Sequence, residues 1–188
     1  MNPMTLTRNA SEWTVHDLAD LPDDGLQYEL LDGLLIVSPA PVPAHQRVVM
    51  QLGFLLVQAC PEHLEVFPGP LDWQPDARTS LQPDLLVVRR DQVGIKNLTR
   101  PMELAVEVLS PATHRKDRIL KASRYAEGGI GSYWLVNPGT VGDDGPSATV
   151  HHLRDGEYVP VAHAQGDEVL AVDLPFSVSF TPAQLAHA

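Results

Sequence analysis

Two carboxylates stand where an apolar chain has least use for them. Asp84, within Gln82-Pro83-Asp84, opens the run Leu85-Leu86-Val87-Val88, and Glu107 divides Leu104-Ala105-Val106 from Val108-Leu109. An ionised carboxylate in a buried strand is costly unless a cation or several donors meet it. If the two strands are neighbours, both acids reach one point. Hard oxygen ligands of this kind suit Mg²⁺ (or Mn²⁺) with several waters retained. Such an ion polarises a phosphoryl oxygen and lowers the pKa of a water beside it.

A cation is at hand in the sequence that follows. Lys121 can supply positive charge where negative charge develops in a transition state. Asp117 and Tyr125 each lie four residues from Lys121, so the three share one helix face. Asp117 would orient the lysine or stand behind the metal. Glu29 would provide a third carboxylate, for this ion or a second one. The bland alternatives are a strand-capping Asp84, a Glu107 paired with Arg115 or Arg124, a solvated Lys121 and an ordinary hairpin Glu29.

The elements that must position these residues can be read from periodicity. Thr14 and Asp17 mark a helix start, closed by Pro22 to Gly25. Tyr28–Leu31 and Leu34–Val37 flank Asp32-Gly33, the dipeptide a tight hairpin prefers. A proline-rich loop, Ser38 to Pro43, precedes a helix from Ala44 to Cys60 with Val48, Val49, Leu52, Leu55 and Leu56 at helical spacing. Strands are expected at Leu64–Phe67, Leu71–Gln74, Leu81–Val88, Leu104–Leu109 and Ser132–Val136. A second helix spans Thr113–Ala126 and ends at Gly128-Gly129. Thr149–Leu153 and Tyr158–Ala162 form a second hairpin, and Leu170 to Phe180 leads to one turn around Leu185.

Composition sets the bounds. A chain of 188 residues fits one domain with a full core. No apolar run reaches the ~20 residues of a membrane span, and Met1 to Ser11 lacks the order of a signal peptide. With Cys60 the sole cysteine, a soluble cytoplasmic protein is expected. The 13 Lys+Arg against 24 Asp+Glu give a net charge of -11, which opposes tight non-specific binding to phosphate backbones. Yet Arg115, Lys116, Arg118, Lys121 and Arg124, five of those 13 cations, fall within ten positions. That patch can grip an anion locally or be a solvated helix face.

The ordered string Tyr28-Glu29…Asp32-Gly33, His45, Pro83-Asp84, Glu107-Val108-Leu109-Ser110-Pro111, Asp117, Lys121, Tyr125-Ala126, Gly129-Ile130 and Tyr133-Trp134-Leu135-Val136 resembles the Uma2 family of the PD-(D/E)xK nuclease superfamily. The superfamily's lysine usually stands two residues after the acid. That position is Leu109 here, so its role passes to Lys121, as in the Uma2 pattern. Ala112, Ser132 and Asn137 depart from residues frequent in the family. The resemblance implies an α/β, restriction-endonuclease-like domain spanning 1–188, with a mixed central sheet and helices on both faces. Its core covers about 13–138, and a C-terminal β-hairpin extension covers 148–180. It implies a Mg²⁺-dependent DNA endonuclease with Asp84, Glu107 and the Val108 backbone carbonyl on the metal, assisted by Lys121, Glu29 and Asp117.

Other residues are read more plainly. His45 is expected as a helix-start histidine at the surface, able to approach the site. His151 and His152 point to opposite faces of a strand, Cys60 has no adjacent base, and Tyr133 and Trp134 are packing residues. A homodimer is expected from base rates and suits cutting both strands of a duplex. Two rival readings stay open: a nuclease-fold binding or regulatory module without turnover, and a hydrolase of small phosphorylated compounds.

Overall fold

The structure, a computed structural model, describes residues 12–110, 115–139 and 145–186, and for 115–117 the backbone only. In chain order the elements are α1 (Val15–Leu18), β1 (Gln27–Leu31), β2 (Leu34–Ser38), α2 (Pro43–Ala59), β3 (Leu64–Pro68), β4 (Trp73–Asp76) and β5 (Thr79–Leu81). There follow β6 (Leu85–Arg89), a 3₁₀ turn (Arg90–Gln92), β7 (Leu104–Val108), α3 (Arg115–Glu127) and β8 (Ser132–Pro138). The chain closes with β9 (Pro146–Arg154), β10 (Glu157–Gln165), β11 (Leu170–Val172), β12 (Val178–Phe180) and α4 (Pro182–Ala186). No helix among the described residues is long and apolar enough to cross a membrane.

Six strands form the central sheet in the order β10-β9-β8-β7-β6-β3. All neighbours are antiparallel except β7 and β8, which run parallel. A parallel pair needs a crossover connection, and α3 is that connection. A second sheet, β2-β1-β5-β4, stands beside it, and β11 and β12 make a small hairpin. The hairpin of β9 and β10 pairs through β9 with β8.

Alternation along the strands divides the core into two. Leu85, Val87, Leu104, Val106, Val108, Trp134 and Val136 face one side, where Val48, Leu52 and Leu56 of α2 and the C-terminal Phe180 and Leu185 cover them. Leu86, Val88, Ala105 and Tyr133 face the other, where Tyr125 of α3 packs with Trp73 and Ile130. Helices therefore cover both faces of a mixed sheet. Each fully buried aliphatic side chain of α2 contributes about 1.5–3 kcal/mol. Proline at the first position of α2 loses nothing, since its missing N–H would have no partner there.

Both Asp-Gly hairpins form, with Asp32 and Gly33 at φ 50° and 87° and Asp155 and Gly156 at 50° and 83°. The expected strand Leu81–Val88 is instead two strands of different sheets. Pro83 has no N–H to give a ladder, the Gln82 N–H turns to the Glu29 side chain at 2.7 Å, and the Asp84 N–H to the Val106 carbonyl at 3.0 Å. The chain thus changes sheets at Pro83-Asp84.

Replacing Leu52, fully buried between α2 and the sheet, by alanine is expected to destabilise the fold by about 2–5 kcal/mol. Urea unfolding should show a lower midpoint with an unchanged slope; an unshifted midpoint would contradict the seating of α2.

Candidate active site

The break before β6 puts Asp84 beside Glu107. The register Leu85↔Val106 between β6 and β7, continued by one residue, sets the two acids opposite one another. Opposed residues of an antiparallel pair present side chains on the same face. Asp84 Oδ2 accepts the Val108 N–H at 2.7 Å, which holds the carboxylate at the strand end. Gly69 makes the bend possible: a Cβ there would stand 2.7 Å from the Pro83 carbonyl oxygen.

Glu107 lies on the face covered by α3 and is 8 % exposed. Lys121 Nζ lies 3.3 Å from its Oε1, and the Tyr125 hydroxyl donates to the same oxygen at 2.8 Å. The four-residue spacing of Lys121 and Tyr125 thus delivers two donors to one carboxylate. From the second sheet, Glu29 on β1 reaches Lys121 Nζ with Oε2 at 2.8 Å, and its Oε1 accepts the Gln82 N–H. Asp84, Glu107, Lys121 and Glu29 therefore converge on one cleft of about 230 Å³, many times the ~30 Å³ share of one water. The Asp117 side chain lies outside the described residues.

Three carboxylates line the cleft together with Lys121, Arg118 and His45. Burial pushes the Glu107 carboxyl up to about 7; Lys121 opposes that, and Asp84 and Glu29 reinforce it. For Lys121, burial favours the neutral amine, but Glu107 and Glu29 outweigh it and hold the ammonium firmly protonated. Burial together with Glu107 and Glu29 drives the Tyr125 phenol well above its ordinary range, so it remains a donor. Among the described residues no three His, Cys, Asp or Glu side chains already surround one point as a metal's ligands do. Lys121 is the cation between Glu29 and Glu107.

His45 is not at the surface. It is 7 % exposed, and its Nε2 lies 3.1 Å from Asp84 Oδ1. Burial pulls its pKa down, but the Asp84 contact and the charges of Asp84 and Glu107 prevail and raise it. The signal was in the helical period: His45, Val48, Leu52 and Leu56 are the buried positions of α2, and a proline-rich loop drew attention from it. The basic patch divides. Arg124 is held by Asp76, by Asp32 at 3.2 Å and over the Trp73 ring, so it braces the second sheet. Arg118 lines the cleft, and its Nε is buried without a hydrogen-bond partner among the described residues.

The remaining candidates lie elsewhere. His151 and His152 sit on β9, and burial lowers both pKa values. Burial also raises the Cys60 thiol, which disfavours the thiolate a nucleophile needs. Tyr133 and Trp134 are core residues.

Lys121 between Glu29 and Glu107, with Asp84 beside them, thus sits at the break of a mixed sheet flanked by helices. The profile of the Uma2 family, described as "Putative restriction endonuclease", matches residues 15–186, and the chain belongs to that family. No curated protein matches the sequence. Among solved structures, a "putative nuclease belonging to DUF820" from Anabaena variabilis ATCC 29413 is similar, with a TM-score of 0.66 and 17% identity. The match covers 85% of this chain and 89% of that one, and at such identity it speaks for the fold.

The raised Glu107 has a consequence for stability. Its ordinary value is 4.5 and its folded value about 7, so between those pH values the folded state keeps a proton that the unfolded chain has lost. Stability contributed by this group is present below about 4.5 and is lost as pH rises through 7. In metal-free buffer, melting temperatures of wild type relative to Glu107→Gln are expected to fall across that window. A difference that stays constant with pH would refute the assignment.

Proposed function

We propose that this chain is a metal-dependent phosphodiesterase acting on DNA as an endonuclease. The observation that supports it is the convergence of Glu29, Asp84, Glu107 and Lys121 in a solvent-open cleft. The donor set fits a hard divalent cation such as Mg²⁺ or Mn²⁺: two carboxylates, from Asp84 and Glu107, with the Val108 backbone carbonyl as a further oxygen. A cation there would favour the ionised Glu107 that burial, reinforced by Asp84 and Glu29, disfavours. When bound, it would supply Lewis acidity toward a phosphoryl oxygen and an activated water.

The chain's own residues would do the rest. Lys121 would offer its ammonium to the developing negative charge at phosphorus. Glu29 keeps that ammonium in place through its 2.8 Å contact, and the Gln82 N–H keeps Glu29 in place. Asp117, one turn before Lys121 on α3, would assist in orienting it. Arg118 would contact a phosphate next to the one attacked, giving an acidic chain a local grip. The second reading is a binding module without turnover, favoured by Lys121 already bridging Glu29 and Glu107. A homodimer would present one such cleft to each strand of a duplex; a single monomeric species in sedimentation velocity would remove that part.

Nicking of supercoiled plasmid with Mg²⁺ or Mn²⁺ is the direct test. Asp84→Ala and Glu107→Ala should each abolish cleavage, and Arg118→Ala should raise KM more than it lowers kcat. Cleavage that persists equally in both acid variants rejects the enzyme reading. DNA binding without cleavage supports the module, and phosphate release from small esters alone would redirect the substrate class.

A further inference from the structure

His45 has no role in the reading above, yet its Nε2 lies 3.1 Å from Asp84 Oδ1. It comes from the first turn of α2, the helix on the opposite face from α3, and reaches round the end of β6 into the cleft. We propose that His45 Nε2 is a ligand of the metal together with Asp84, so that the site prefers a first-row transition ion such as Mn²⁺ over Mg²⁺. This rests on the metal-dependent reading and extends it.

Three features carry the inference. Two donors cis to one another on an octahedral ion with bonds of about 2.1 Å stand about 3.0 Å apart, and His45 Nε2 and Asp84 Oδ1 are 3.1 Å apart. The two donors therefore already stand at the spacing an ion would require of them. The second feature is the far side of the ring. Nδ1 is buried with no hydrogen-bond partner among the described residues; had a donor been aimed at it, the ring proton would be fixed on Nε2 and the lone pair lost. Here Nδ1 is left to carry the proton, and a ligating ring would need an acceptor such as a water at that point.

The third feature is how firmly the ring is placed. Val48, Leu52 and Leu56, on the same stripe of α2, are 0 % exposed, so the helix that carries His45 cannot roll away from the cleft without breaking the core. Asp84 is equally fixed by the Val108 N–H. Imidazole nitrogen is a poor ligand for Mg²⁺, which demands hard oxygen, and a good one for first-row transition ions. A site of two carboxylates, one carbonyl and one imidazole therefore discriminates between ions that carboxylates alone would accept about equally.

The test is ion binding by the whole chain, read without reference to activity. Isothermal titration of the wild type should show Mn²⁺ bound more tightly than Mg²⁺, and pulsed electron paramagnetic resonance of the Mn²⁺ complex should show coupling to a ligated ¹⁴N. In His45→Ala the nitrogen coupling should vanish and Mn²⁺ affinity should fall by about tenfold or more, with Mg²⁺ affinity little changed. Asp84→Ala should weaken both ions. Wild-type Mn²⁺ bound without nitrogen coupling, a measurement that needs no variant to fold, overturns the proposal while leaving the metal-dependent reading intact. So does unchanged Mn²⁺ affinity in a folded His45→Ala. Absence of binding by either ion overturns both.

Discussion

A buried ammonium between two carboxylates is the constraint around which this molecule is organised. Lys121 touches Glu29 at 2.8 Å and Glu107 at 3.3 Å, and removing any one of the three would leave an uncompensated charge in a poorly solvated place. Breaking such a cluster typically costs several kcal/mol, far more than the cluster adds over a well-packed apolar one. The surroundings reflect that liability: the Tyr125 hydroxyl serves Glu107, and the Gln82 N–H serves Glu29. A fold seeking stability alone would have filled this space with apolar side chains. Retaining Glu29 and Glu107 on one lysine, with Asp84 beside them, makes sense when these charges are used.

The architecture follows from the need to bring these groups together from distant parts of the chain. Glu29 arrives on the hairpin of the second sheet, Asp84 at the point where the chain passes between sheets, and Glu107 on a central strand. Lys121 comes from the crossover helix that the parallel pair β7–β8 requires. His45 approaches from α2, across the opposite face. Five elements thus meet at the end of β6 and β7, where the backbone stops pairing regularly and its Val108 and Gln82 N–H groups become available to side chains.

Much of this was legible before any coordinates. Glu107 in an apolar run and Asp84 after Pro83 announced themselves because apolar strands tolerate carboxylates only for a reason. The shared helix face of Lys121 and Tyr125 followed from 3.6-residue periodicity, and both Asp-Gly hairpins from the need for positive φ. Other features were hidden. Arg118 and Arg124 looked alike within one basic run, yet the first lines the cleft and the second is spent on Asp32, Asp76 and Trp73. The run from Leu81 to Val88 read as one strand because its apolar pattern hardly falters; sheet membership depends on partners far away in the chain.

Local chemistry, then, was written in the order of residues: where a strand carries an acid, where a helix begins, which side chains share its face, where the chain must turn. These depend on neighbours a few positions away. What packing alone decided was which charges meet. The pairing of Glu29 with Lys121 spans two sheets, and that of His45 with Asp84 joins a helix to a strand end. Such contacts are set by how the α2 stripe and the sheet faces interlock. Burial then gave that meeting its consequence, since it is burial that pushes the Glu107 carboxyl up to about 7.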